Sequence, residues 1–173
     1  MANATLRLLV LRHGKSDWST GDPDFDRPLA DRGRASAQRV GVWMKEEGLI
    51  PDRVISSPAR RARDTAELAC RMLELKESRI RFDERIYGGS IEELLASLAE
   101  HASEAQQVLL VGHNPGLEEL VEFLAQEPLA ESEDGKVLPT AALAVLRPLT
   151  DWQSLGRGSA KLISLTRPGA MRR

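Results

Sequence analysis

Three short apolar runs constrain this chain most: Leu6–Leu11, Arg53–Ser56 and Val108–Val111. Each is too short to form a buried helix and reads as a buried strand. Each is then broken abruptly, by Arg12-His13-Gly14, by Ser57-Pro58 and by Gly112-His113-Asn114-Pro115-Gly116. Helix-spaced segments follow. Ala37, Val40, Gly41 and Met44 give a helix over 35–47 that Gly48 closes. Ser57 predicts an N-cap with Pro58 in the first helical position, and that helix runs to about Leu75. Ser90 and Glu93 form a capping box for a helix through Glu100, and Leu117–Ala125 is the last helix. Ile80–Phe82 is a weak strand. Ala141–Leu146 and Leu162–Leu165 are final strands joined by a Gly-rich turn without a helix, so one edge is antiparallel. The alternation predicts an α/β fold, a three-layer sandwich with a mostly parallel central sheet and helices on both faces. Its 173 residues fit a single domain over 1–173.

Composition narrows the function. The 24 basic and 26 acidic residues leave a net charge of -2. There is no global pull toward nucleic acid or an anionic membrane, so any anion must be bound by a local site. The single cysteine, Cys70, excludes an internal disulfide and any zinc site needing several thiolates, and reads as a buried small hydrophobe. The N-terminal apolar run is too short to span a bilayer and lacks a cleavage site, so the chain is read as cytoplasmic. Segment 15–30 is polar and rich in Asp and Pro and reads as a loop, and the acidic segment 127–139 reads as a surface loop.

In an open parallel sheet the carboxyl ends of the strands share one edge, where ligands bind. Arg12, His13, one of the Arg60/Arg61 pair and His113 should therefore converge. Two imidazoles with at least two guanidiniums suit a compact, multiply charged anion, since the planar Arg fork matches phosphate oxygens. A histidine there can attack phosphorus or carry a proton. A histidine after a strand can also simply cap a helix. A metal site would want a carboxylate where Arg stands, and no metal or other cofactor is expected. Arg60 and Arg61 stand in a first helical turn, where cations oppose the helix dipole; that misfit argues for a role for at least one. His101 lies at a polar helix end and reads as surface.

These residues resemble a known family. Leu11-Arg12-His13-Gly14 is similar to the RHG signature of the histidine phosphatase superfamily, the phosphoglycerate mutase-like fold. Ser57-Pro58-Ala59-Arg60-Arg61-Ala62-Arg63-Asp64-Thr65 resembles its S-P-x-x-R-A-x-x-T helix start, an alignment that selects Arg61 over Arg60. Gly112-His113-Asn114-Pro115 resembles its second-histidine motif. Asp26-Arg27-Pro28-Leu29, Gly33 and His113-Asn114-Pro115-Gly116 are most similar to SixA-type phosphohistidine phosphatases. The resemblance implies that His13 is the nucleophile, forming a transient phosphohistidine. It implies that Arg12, Arg61 and His113 bind the phosphoryl oxygens and stabilise the transition state, with Arg27 reaching the same pocket. Phosphate, vanadate and tungstate are the expected site anions.

One departure bears on substrate. Many superfamily members carry an acid in an R-L-x-E segment. Here Arg85-Ile86-Tyr87-Gly88 puts Gly88 at the glutamate position, leaving Glu84, Asp83 or no residue as general acid. A good leaving group, such as the imidazole of phosphohistidine, needs an acid less than an alkoxide does. The short candidate caps predict an open pocket that admits a phosphorylated side chain of another protein. The alternatives are a phosphomonoesterase for small metabolites and a catalytically weak phosphoprotein-binding module.

Overall fold

The computed structural model of the chain describes residues 5–130 and 134–171. Its six strands are β1 (Arg7–Arg12), β2 (Arg53–Ser56), β3 (Ile80–Phe82), β4 (Gln107–Gly112), β5 (Leu143–Pro148) and β6 (Ala160–Thr166). They form one sheet in the order β3-β2-β4-β1-β5-β6. The pairs β3-β2, β2-β4 and β4-β1 are parallel, whereas β1-β5 and β5-β6 are antiparallel. The parallel half is built from crossovers, which need a helix between strands. These helices are α1 (Asp31–Glu46), α2 (Arg60–Met72) and α3 (Ile91–His101); α4 (Gly116–Leu124) follows β4.

The central strands are apolar on both faces because both are covered. Leu8 and Val10 of β1 and Val108 and Leu110 of β4 pack with Leu94 and Leu98 of α3 and Leu117, Leu120 and Leu124 of α4. The alternate residues, Leu9, Leu11, Leu109 and Val111, pack with Val40 and Met44 of α1 and Ala62, Ala66 and Cys70 of α2. That period-two split is the origin of the three layers. Cys70 lies fully buried in the second cluster, where burial pushes its thiol up to about 12.

Several expectations are corrected. Ser57 does not cap α2, which starts at Arg60 behind Ala59 as the cap residue. The Ser57 hydroxyl instead accepts from the Ala59 amide at 3.2 Å, so 57–59 forms a local turn and Pro58 precedes the helix. That helix ends at Met72, and α1 begins at Asp31, ahead of the apolar periodicity. The capping box holds: Ser90 accepts from the Glu93 amide, and Glu93 accepts from the Ser90 amide. His101 lies outside the site and is only partly covered, its side chain 19% exposed with Nε2 3.1 Å from Asp83. The 127–139 segment is more than a surface loop, since Leu138 is fully buried; its residues 131–133 lie outside those described. Among the described residues no helix is long and apolar enough to cross a membrane.

Candidate active site

The register of β2, β4 and β1 builds the site. Arg12 pairs with Gly112 and Ser56 with Val111, so the residues after each strand leave the sheet side by side. The His13 amide donates to the Gly112 carbonyl at 3.0 Å, and the Ser57 amide to Val111 at 3.0 Å. The rings of His13 and His113 come to 5.1 Å between centroids, although a hundred positions separate them in the chain. Arg12, His13, Arg61 and His113 thus converge as the sequence predicts, and Arg27 joins them. Arg60, by contrast, is exposed and faces Asp64 at 3.7 Å.

Close backbone packing holds the first motif. A Cβ on Gly14 would sit 2.6 Å from the Gly33 carbonyl oxygen, and one on Gly33 would sit 2.1 Å from that of Lys15. The two glycines therefore let the β1 exit lie against the start of α1. The Gly14 amide donates to the Thr65 hydroxyl at 3.0 Å, and Thr65 donates to the Arg61 carbonyl at 2.7 Å.

His13 is 6% exposed, and its Nδ1 lies 2.7 Å from the Gly14 carbonyl. A carbonyl only accepts, so Nδ1 carries the proton and Nε2 keeps its lone pair. Burial, with the Arg61, Arg12 and Arg27 guanidiniums acting in the same direction, lowers the His13 pKa to about 4. Burial is the larger cause, ahead of the cations. Burial and the neighbouring His13 take His113 down to about 3. The His113 Nε2 is 2.7 Å from the Ser57 hydroxyl. Both rings are neutral near pH 7.

The cations are anchored from behind. Arg12 donates to the Leu138 carbonyl at 3.3 Å, and Asn114 donates to the same carbonyl and to Glu118, each at 2.8 Å. Arg27 donates through Nε to Ser16 at 3.0 Å, with its guanidinium 3.7 Å from the centre of the Trp18 ring. The Arg12 Nε, Arg61 Nε and His113 Nδ1 atoms are buried without a partner among the described residues. Each such group costs about 1–3 kcal/mol unless a ligand meets it.

Of the two carboxylates considered as acids, Asp83 is held by other partners and Glu84 is exposed. The Asp83 carboxylate accepts from Arg85 at 2.6 Å and from Ser97 at 2.6 Å, and it faces His101. Hydrogen bonds from Arg85 hold its pKa well below the usual carboxylate range. Glu84 is exposed. Two residues the sequence reading missed stand at the site instead. The Asp24 carboxylate accepts from Arg27 at 2.7 Å, Arg61 at 3.1 Å and the Tyr87 hydroxyl at 2.6 Å. The Tyr87 ring meets His113 edge-on at 5.5 Å. No spacing rule marks Asp24 or Tyr87, which come from two separate loops. The one available signal was that Asp24 lies three residues before Arg27.

Residues 8–94 match the histidine phosphatase superfamily (branch 1), and the chain belongs to that superfamily. The fold is that of solved SixA structures. A protein proposed to be the phosphohistidine phosphatase SixA from Nakamurella multipartitia superposes with a TM-score of 0.82 at 25% identity, covering 97% of this chain and 99% of that one. One from Agrobacterium tumefaciens, with the same proposed activity, gives 0.76 at 30% identity, covering 96% and 100%. The protein histidine phosphatase SixA complexed with tungstate gives 0.79 at 24% identity, covering 96% and 100%, a likeness of fold.

Proposed function

We propose that this chain is a metal-independent phosphatase that removes phosphate from phosphohistidine on a protein, through a covalent phosphohistidine on His13. The observation that carries the reading is the state of His13. Its Nδ1 proton is fixed on Gly14, and burial keeps the ring neutral, so Nε2 is a free nucleophile among three guanidiniums. Nε2 attacks phosphorus while the bond to the departing nitrogen breaks. The spread of charge over the phosphoryl oxygens is met by Arg12, Arg61 and His113, with Arg27 beside them. Fixed donors of this kind stabilise the transition state without reorganising. Water then attacks the phosphorus on His13, releasing phosphate and restoring the ring.

The leaving group follows from the missing acid. Asp83 is committed to Arg85 and Ser97, and Glu84 is solvated, so an alkoxide would depart without a proton donor. An imidazole protonated on its far nitrogen leaves as a neutral ring and needs none. The likeness to SixA structures supports the same substrate. The test is brief reaction with a radiolabelled phosphohistidine protein in the presence of a chelator. Acid-labile, base-stable label on His13, absent in His13→Ala, is the expected result. Turnover of small phosphate esters without turnover of the phosphoprotein would favour a metabolite phosphatase. Phosphate, vanadate and tungstate, the last held by one of the similar folds, should inhibit competitively.

A further inference from the structure

We propose that Asp24 is a specificity-determining residue: its carboxylate accepts the remote ring N–H of a phosphorylated imidazole and so selects phosphohistidine over phosphate esters. The inference rests on the phosphohistidine reading above and names the group that would enforce it. Asp24 stands among the cations that would hold the phosphoryl group. It shares Arg27, Arg61 and Tyr87, and its own backbone carbonyl accepts from Arg61 at 2.6 Å. Among the described residues no other carboxylate forms an ion pair with Arg27 or Arg61. The nearby Glu118 is occupied through Oε1 by Asn114 and the Leu138 amide. The Asp24 side chain is nevertheless 52% exposed, so its outer edge faces the solvent from which a substrate side chain arrives. Around it, Tyr87 meets His113 edge-on and Phe25 meets Tyr87 edge-on at 5.2 Å, giving an aromatic rim suited to a flat ring.

The chemistry of the two substrate classes then diverges. A phosphoimidazole with no proton on its second nitrogen would have to leave as an imidazolate. With that nitrogen protonated, the electron pair of the breaking P–N bond stays on the departing nitrogen, the proton stays where it is, and a neutral imidazole leaves. A carboxylate bonded to that N–H favours the protonated, reactive form. The Tyr87 hydrogen bond, with Arg27 and Arg61, holds Asp24 ionised far below neutral pH. An ionised carboxylate has no proton for an ester oxygen, and it opposes the negative charge that grows there. Asp24 would thus do for the substrate ring what the Gly14 carbonyl does for His13.

The experiment compares the full chain with Asp24→Asn and Asp24→Glu on two substrates. One is a histidine peptide phosphorylated with phosphoramidate, and the other is para-nitrophenyl phosphate. Asp24→Asn should lose about 10–100-fold in kcat/KM on the phosphopeptide, the scale of a charge-assisted hydrogen bond. It should lose several-fold less on the aryl ester, because both substrates use the arginines that Asp24 holds but only the phosphopeptide uses its contact with the ring. The phosphopeptide loss should grow as pH rises and the free substrate ring gives up its proton, and Asp24→Glu should restore part of it. Equal losses on both substrates would mean that Asp24 only steadies the arginines, and would overturn the proposal. No change on either substrate, or loss on the ester alone, would overturn it too. Wild-type protein that cleaves the ester but not the phosphopeptide would bring down the phosphohistidine reading itself, and this inference with it.

Discussion

The Thr65 hydroxyl accepts the Gly14 amide and donates to the Arg61 carbonyl, so one side chain ties the β1 exit to the first turn of α2. Thr65 is fully buried, and its hydroxyl is shared by the backbones that carry His13 and Arg61. Thr65→Val keeps the shape and removes both bonds. It leaves the Gly14 amide buried without its acceptor, which costs about 1–3 kcal/mol. The expected outcome is that loss in urea denaturation together with a fall in kcat/KM. A loss of stability with full activity would show that the link does not position the site.

Arg61 and Arg60 are neighbours with opposite fates. Arg61 is 5% exposed inside the cation cluster, while Arg60 lies on the surface against Asp64. Arg61→Ala should lose about 2–4 kcal/mol of transition-state stabilisation, the scale of one preorganised donor. Arg60→Ala should change kcat/KM little. Steady-state kinetics of the two variants, side by side, check the assignment.

How much of this could be read beforehand varied with the physics involved. The strands and their carboxyl-edge residues were legible because short apolar runs broken by His, Gly and Pro have few structural solutions. Arg12, His13, Arg61 and His113 then met as the parallel register requires. The cap of α2 was not legible, because Ser57 is recruited by the Ala59 amide and by His113, a tertiary partner that local rules do not see. Asp24 and Tyr87 escaped for a similar reason. Their meeting depends on two loops folding toward each other over Arg61, and no periodicity encodes that. The loop carbonyl of Leu138, which accepts from Arg12 and Asn114, sits in a segment whose composition reads only as polar.

The buried histidines make stability depend on pH in a defined direction. His13 is lowered from 6.5 to about 4 by burial, with the surrounding guanidiniums acting in the same sense. Between these values the unfolded chain takes up a proton that the folded chain refuses, so stability falls as pH drops through that window. A shift of this size corresponds to about 3 kcal/mol. His113, lowered to about 3, acts in the same direction. Denaturation midpoints measured from pH 7 to pH 4 should therefore decline less steeply in His13→Asn than in the wild type. The acid limb of kcat/KM should carry no His13 step near 6.5, since the free enzyme's nucleophile is unprotonated well below that pH.

The carboxylates first suspected as acids should separate cleanly into a structural one and a silent one. Asp83 gathers Arg85, Ser97 and His101, joining the loop before Tyr87 to α3, and only 9% of its side chain is exposed. Its partners hold it ionised, so its contribution is present above the ordinary aspartate pKa and is lost as pH falls below it. Asp83→Asn weakens the Arg85 pair and disturbs two further bonds. A cost of about 1–3 kcal/mol is expected, moderated because Arg85 is partly solvated. Activity losses should be similar on a phosphohistidine peptide and on an aryl phosphate, because Asp83 acts through the loop and not on the leaving group. Glu84 is exposed at the surface, and Glu84→Gln should leave both stability and phosphohistidine turnover within experimental error. The check is kcat/KM on both substrates together with urea denaturation for each variant. A hundredfold fall in phosphohistidine turnover in Glu84→Gln, with stability unchanged, would identify Glu84 as a proton donor after all and move the enzyme toward ester substrates.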